Sequence, residues 1–109
     1  LGYMNRHKGY EIPPHVHNMV ERKITITQEV LFIKSGKVRL DYFDDDKKYL
    51  ESRIVETGDV ILLAAGGHGF KMLENSEIIE VKQGPYCGDA DKTRFNSIDE
   101  KAVDINLKF

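Results

Sequence analysis

Cysteine is almost missing from this chain. Cys87 is the only one in 109 residues, which excludes an internal disulfide and a zinc-thiolate cluster. That usage suits a reducing cytoplasm. An excess of charge is missing too: 16 basic against 18 acidic residues leave a formal charge of −2 with no basic stripe, so nucleic acid is not an expected partner. Long apolar runs are absent; the longest, such as "VILLAAGG", fall far short of a membrane span, so no membrane partner is expected either. No signal peptide is legible, and because the chain opens at Leu1 rather than methionine, a leader removed earlier would leave no trace. Helical periodicity is scarce, and there is no internal repeat.

What is present is a series of short stretches rich in β-branched and aromatic residues, punctuated by turn signals. "KITITQEVLFIKSG" reads as one long strand or two joined strands, ending in a turn at Ser35-Gly36. In "KVRLDYF", Val38, Leu40 and Tyr42 face one way and Lys37, Arg39 and Asp41 the other, the alternation of a half-buried antiparallel strand. "DDDKK" is a hairpin tip, followed by the strand stretches "YLESRIV", "VILLAA", "HGFKML" and "EIIEVKQG". Size allows one domain over residues 1–109, and the strand spacing predicts an all-β sandwich or barrel. Past residue 84 the chain is polar and aperiodic, so residues 85–109 are expected to wrap the barrel as an irregular tail with one short helical turn near "SIDEKAV".

Four residues stand out chemically. In an extended strand His15 and His17 of "HVH" share a face and can share a metal ion, and Pro13-Pro14 stiffen the entry to it. Glu29 shares its face with Thr27, Leu31 and Ile33, where a carboxylate is costly to bury unless paired or bound to a cation. His68, after the "AAGG" turn, shares a face with Phe70 and Met72 and is expected to look inward.

These residues carry a family resemblance. Gly9, "YEIPP", His15-Val16-His17, then Glu29, "VLFIKS" and Gly36 resemble the first motif of the cupin superfamily; Gly58, "DVILL", Ala64-Ala65-Gly66, Gly67 and His68 resemble the second. The match runs from Gly9 to about Leu73, with the motif-bearing core reaching about residue 84. It implies a small jelly-roll β-barrel with a divalent metal in its mouth, held by His15, His17, Glu29 and His68. The chain departs from the pattern in three places. Eleven residues separate His17 from Glu29, more than usual; Ala64 replaces the motif proline; and the spacer before His68 is one residue short. The long gap makes Glu21 a rival acid, but Arg22-Lys23 follow it as in an exposed loop, and the spacing to Gly36 favours Glu29. The insertion is expected to form a flap or bent hairpin and to carry specificity.

Other residues receive blander readings. His7 is a solvated loop residue, Asp44, Asp45 and Asp46 a hairpin tip rather than a calcium loop, and Tyr86 and Cys87 part of a turn with no group to activate the thiol. Ile79 and Val81 are expected in the core with Glu80 and Lys82 outside or at a subunit contact; the lesser alternative aims Glu80 or Lys82 into the cavity. Arg39 is placed outside by its strand phase, and Arg53 would bind an anion only if it faced the cavity.

Three histidines and a carboxylate suit Fe, Mn, Ni, Zn or Co. The leading expectation is a metal-dependent enzyme acting on a small polar molecule, a sugar or sugar derivative above all, by isomerase- or epimerase-type or other non-redox chemistry. The run from Glu29 to Tyr86 resembles small stand-alone cupins associated with surface-polysaccharide biosynthesis. Glu29 is then a metal ligand or a general base. An iron-dependent dioxygenase and a non-catalytic metal- or sugar-binding module are the alternatives. A homodimer is expected, bridged by the N-terminal segment or the tail.

Overall fold

The computed structural model describes residues 1–108. Its six strands are β1 (Glu29–Ser35), β2 (Lys37–Phe43), β3 (Tyr49–Glu56), β4 (Val60–Leu63), β5 (Gly67–Met72) and β6 (Glu77–Lys82). They form two antiparallel sheets, ordered β4-β1-β6 and β3-β2-β5. The fold is all-β as expected, but the two sheets do not close into a barrel.

The chain passes from one sheet to the other at Gly36. Its φ of +96° lies in the left-handed region, and a Cβ there would stand 2.5 Å from the Asn75 carbonyl oxygen, so only glycine fits. The Thr57 hydroxyl holds this corner by accepting from the Gly36 amide at 3.1 Å. With β1 and β2 so joined, Ile33 on one sheet packs with Val38, Leu40 and Val55 on the other, and Tyr42, Ile61 and Ile78 flank them. Four buried aliphatic side chains of this size contribute roughly 1.5–3 kcal/mol each by burial. At the β2–β3 hairpin the Asp44 carboxylate accepts from the Asp46 and Lys48 amides, both at 2.9 Å, so the acidic run is a turn, as read.

Three expectations are corrected. The first concerns the chain before Glu29. Strands are expected there, yet residues 1–28 form none: apart from a turn at Lys8–Gly9 the segment has no regular structure, and its side chains are exposed almost throughout. "KITIT" therefore does not join β1. The second concerns β6. Opposite β1, Ile79 pairs with Phe32 and Val81 with Val30, whereas Glu80 pairs with Leu31 and Lys82 with Glu29. The charged pair faces inward and the apolar pair outward, the reverse of the leading expectation, because register with β1 decides the phase and alternation alone does not.

The third is Arg39. It points away from the core as its phase requires, but the tail covers that face and leaves it 5% exposed. Its guanidinium makes a two-pronged contact with Asp41, Nε to Oδ1 at 2.8 Å and Nη2 to Oδ2 at 2.9 Å. It also donates to Glu100 at 2.7 Å, and Lys71 reaches the other oxygen of Glu100 at 2.7 Å. Ser52, fully buried, donates to Asp41 and lies 2.6 Å from the Tyr49 hydroxyl, to which the Asp104 amide donates. The tail continues beside β3 through a parallel bridge between Ile105 and Ser52, and Phe95 packs edge-on against Phe43. The helical turn expected near "SIDEKAV" is present as a 3-10 turn, Glu100–Ala102, and a second spans Gly88–Asp91.

Hydrogen bonds from Arg39 and then Lys71 hold the Glu100 carboxyl down at about 2, below its ordinary 4.5. Its stabilisation is therefore complete above about pH 4.5 and lost as pH falls through about 2. Comparing urea midpoints of the wild type and Glu100→Gln from pH 7 to pH 2 should show the wild type ahead at neutral pH and the gap closing below pH 4.5. A gap that stays constant across that range would contradict the role given to Glu100.

Candidate functional site

Glu29 is the first residue of β1, the central strand of its sheet, with Leu63 and Lys82 as its register neighbours. Its side chain therefore points between the sheets, where it is 8% exposed. A buried carboxylate needs partners, and two are in place. His68 on β5 brings Nε2 to 3.4 Å from one carboxylate oxygen, and Lys82 on β6 brings Nζ to 3.6 Å from the other. The Glu29–His68 contact joins the two sheets. His68 is held there by β5 pairing, opposite Tyr42, and by the edge of Phe70 at 5.4 Å.

Lys82 is shared. Its ammonium also lies 3.7 Å from Asp91 in the first 3-10 turn, and Asp91 accepts from the Thr27 hydroxyl. Burial pulls the Lys82 pKa down, but the negative charges of Glu29, Glu80 and Asp91 outweigh it, and the net shift is upward. The group stays a cation throughout the physiological range. Around this cluster opens a cavity of about 850 Å³, walled by Thr25–Thr27, the Ala64–Phe70 segment and the tail from Ala90 to Ser97. Asp45, Asn96, Ser97 and the threonines put hydrogen-bonding groups on its surface. The Gly66 amide donates to Asp45 at 3.1 Å, fixing the turn that carries His68.

Of the four residues singled out for a metal, the structure brings together Glu29 and His68. His15 and His17 lie on the exposed N-terminal segment, ring to ring at 5.2 Å. His15 is oriented by donating from Nδ1 to the Pro13 carbonyl at 2.8 Å. Among the described residues no three side chains of histidine, cysteine, aspartate or glutamate gather where they could hold a metal ion. The rival Glu21 is exposed on the same segment. Within one chain, two donors beside a lysine ammonium do not fit a divalent ion. Arg39 is engaged with Asp41 and Glu100, and Arg53 pairs with Glu51 at 3.2 Å.

Sequence reasoning ranked Lys82 too low and missed Asp91 entirely. The signal for Lys82 was its place opposite Glu29, legible only once register is known. Asp91 sits in a tail without periodicity and carried no signal at all.

The arrangement supplies a carboxylate that can take a proton and an imidazole beside it, both lining the cavity, with the fixed positive charge of Lys82 next to the carboxylate. If Lys82 and Glu29 act as a pair, the stability losses of Lys82→Met and Glu29→Gln should be less than additive in the double variant, as measured by urea unfolding. Strict additivity would show the two groups to be uncoupled. No protein-family model, no curated protein and no solved structure matches this chain.

Proposed function

We propose that the protein binds a small, oxygen-rich molecule, a sugar or sugar derivative, in the cavity over Glu29 and acts on it by non-redox proton transfer of the isomerase or epimerase type. The observation that carries this reading is the nearly buried Glu29 carboxylate, set between His68 at 3.4 Å and Lys82 at 3.6 Å. In a hydroxy-carbonyl substrate, Glu29 takes the proton from the carbon next to the carbonyl. The electron pair moves to the carbonyl oxygen, where Lys82 stabilises the negative charge and His68 donates a hydrogen bond. Return of the proton to the former carbonyl carbon, with the substrate's hydroxyl proton passing to the former carbonyl oxygen, gives the isomerised product. Threonine hydroxyls and the Asn96 carboxamide in the wall suit a ligand with many hydroxyls. We assign the two sheets to a cupin-like jelly roll on the strength of the two sequence motifs, and the activity to the cytoplasm on the free thiol of Cys87.

A metal-dependent form of the same reading draws on the adjacency of Glu29 and His68, two of the four ligands that the motifs imply. It requires His15 and His17 to reach such a pair, which they do not do within one copy. Bound there, a divalent ion would polarise the substrate carbonyl in place of Lys82.

Two experiments test these readings. Monosaccharides, sugar phosphates and nucleotide-linked sugars would be screened by ligand-observed NMR in D2O, with deuterium incorporation as the readout. Incorporation by the wild type, reduced by about 10²–10⁴-fold in Glu29→Gln, is expected. Binding without incorporation would support a binding module instead, and no binding at millimolar ligand would end the sugar reading. Elemental analysis of freshly purified wild type and the His15→Ala/His17→Ala variant separates the metal form. Stoichiometric metal lost in the variant supports it, and equal trace metal in both dismisses it.

A further inference from the structure

Residues 84–94 wall one side of the cavity, and little fastens them there. The stretch leaves the body just after β6, where the Gln83 amide donates to the Gln28 carbonyl at 2.9 Å. It rejoins the body at Phe95, whose ring meets Phe43 edge-on with centroids 5.0 Å apart. Gly67 makes room for that ring, since a Cβ there would stand 3.0 Å from it. Further on lies the firm anchor of Glu100 on Arg39 and Lys71. Between Gln83 and Phe95 no residue is buried. Two hydrogen bonds close on the stretch itself: the Lys92 amide donates to the Asp89 carbonyl at 3.3 Å, and Arg94 to the Asp89 carboxylate at 2.9 Å. Among the described residues, a single side chain ties the stretch to the rest of the molecule by hydrogen bond or ion pair, and that side chain is Asp91.

Asp91 makes the tie with both of its oxygens. One accepts from the Thr27 hydroxyl, on the segment that leads into β1, and the other lies 3.7 Å from Lys82 Nζ at the end of β6. Its side chain is 21% exposed, although the 3-10 turn that carries it buries no residue, so the carboxylate is the part of the turn that reaches inward. Thr27 lines the cavity, and Lys82 stands beside Glu29. One carboxylate therefore draws together three pieces of chain distant in sequence around the cavity.

We infer that residues 84–94 form a strap that opens and closes over the cavity, hinged at Gly84 and Phe95, and that Asp91 is its latch. A segment held by so few contacts opens locally without unfolding the sheets. Elements that admit and enclose ligands are drawn from such segments. Opening takes Asp91 away from Lys82 and leaves the ammonium with Glu29 alone, and closing restores the shared position. The strap and the charge beside Glu29 thus change together. The latch goes beyond the proposed chemistry and stands independently of what the cavity binds.

Cys87 provides the test, because it is exposed, lies in the strap and is the only cysteine. A nitroxide spin label on it reports strap motion by electron paramagnetic resonance with no engineered attachment site. The wild type should show a slow and a fast component with the slow one predominant. Asp91→Asn should raise the ratio of fast to slow at least about tenfold, the effect of losing a hydrogen bond to a charged group. Thr27→Val should move it in the same direction, and Asp91→Glu, which keeps the charge, should lie between Asp91→Asn and the wild type. Amide ¹⁵N relaxation on unlabelled protein covers the case in which the label itself disturbs the strap. There, Asp91→Asn should loosen residues 86–94 and leave β2 and β3 unchanged. Equal behaviour of the wild type and Asp91→Asn, an Asp91→Glu strap as mobile as that of Asp91→Asn, or loosening that extends into β2 and β3 would each overturn the inference. None of these readouts involves substrate or metal, so failure of the latch and failure of the proposed chemistry are told apart.

Discussion

The buried contact between Arg39 and Asp41 is the interaction on which much of this architecture depends. Central strand β2 carries a guanidinium and a carboxylate on the face away from the core. Neither can be withdrawn from water without a partner. Their two-pronged contact satisfies most of this need, and Glu100 and Ser52 complete it. Because Glu100 belongs to the tail, the network is also an anchor that fastens the last quarter of the chain to the second sheet. Upstream of that anchor the same tail packs Phe95 on Phe43 and brings Asp91 to Lys82. An ion pair far from Glu29 thus determines where one wall of the cavity stands.

Across the interior, the Glu29–His68 contact has the complementary role. It is made by one residue from each sheet, beyond the aliphatic core of Ile33, Val38, Leu40 and Val55. Where that core stops, Glu29 and His68 meet between the sheets, and there the cavity opens. The Lys82 ammonium lets a carboxylate remain in this position without a metal, and it distinguishes the arrangement within one chain from a four-ligand metal centre.

Much of this was legible in the sequence. Strands β2 to β6 fall close to the stretches of alternating or branched residues, because alternation directly reflects a half-buried sheet. The acidic hairpin tip was readable because aspartate side chains complete the turn's own hydrogen bonds. Glycine at the β1–β2 corner was readable as a turn, although its closeness to Asn75 was not. The inward aim of Glu29 and His68 also followed from face counting. Glu80 and Lys82 resisted the same method: the alternation of "EIIEVK" favours the face of Ile79 and Val81, and only pairing with β1 turns the other face inward. Arg39 resisted it for a different reason. Its direction was right, but its burial depends on a tail whose path no periodicity announces. The histidine pair was placed in a strand on local grounds, yet a strand needs a neighbour with free hydrogen-bonding groups, and among the described residues no strand pairs with it.

The order of side chains by itself determined that this chain is all-β, where its turns lie, and that Glu29 and His68 face the same interior. Those are properties of nearest neighbours along the chain, set by the two-residue repeat of a strand and by the backbone demands of glycine. Tertiary structure alone decided which face of β6 is buried, that Arg39 is enclosed, that Lys82 and Asp91 join Glu29, and that His15 and His17 stand apart from it. Each of those outcomes depends on contacts between residues distant in sequence, and an alternating pattern carries no information about which strand, or which copy, will lie beside it.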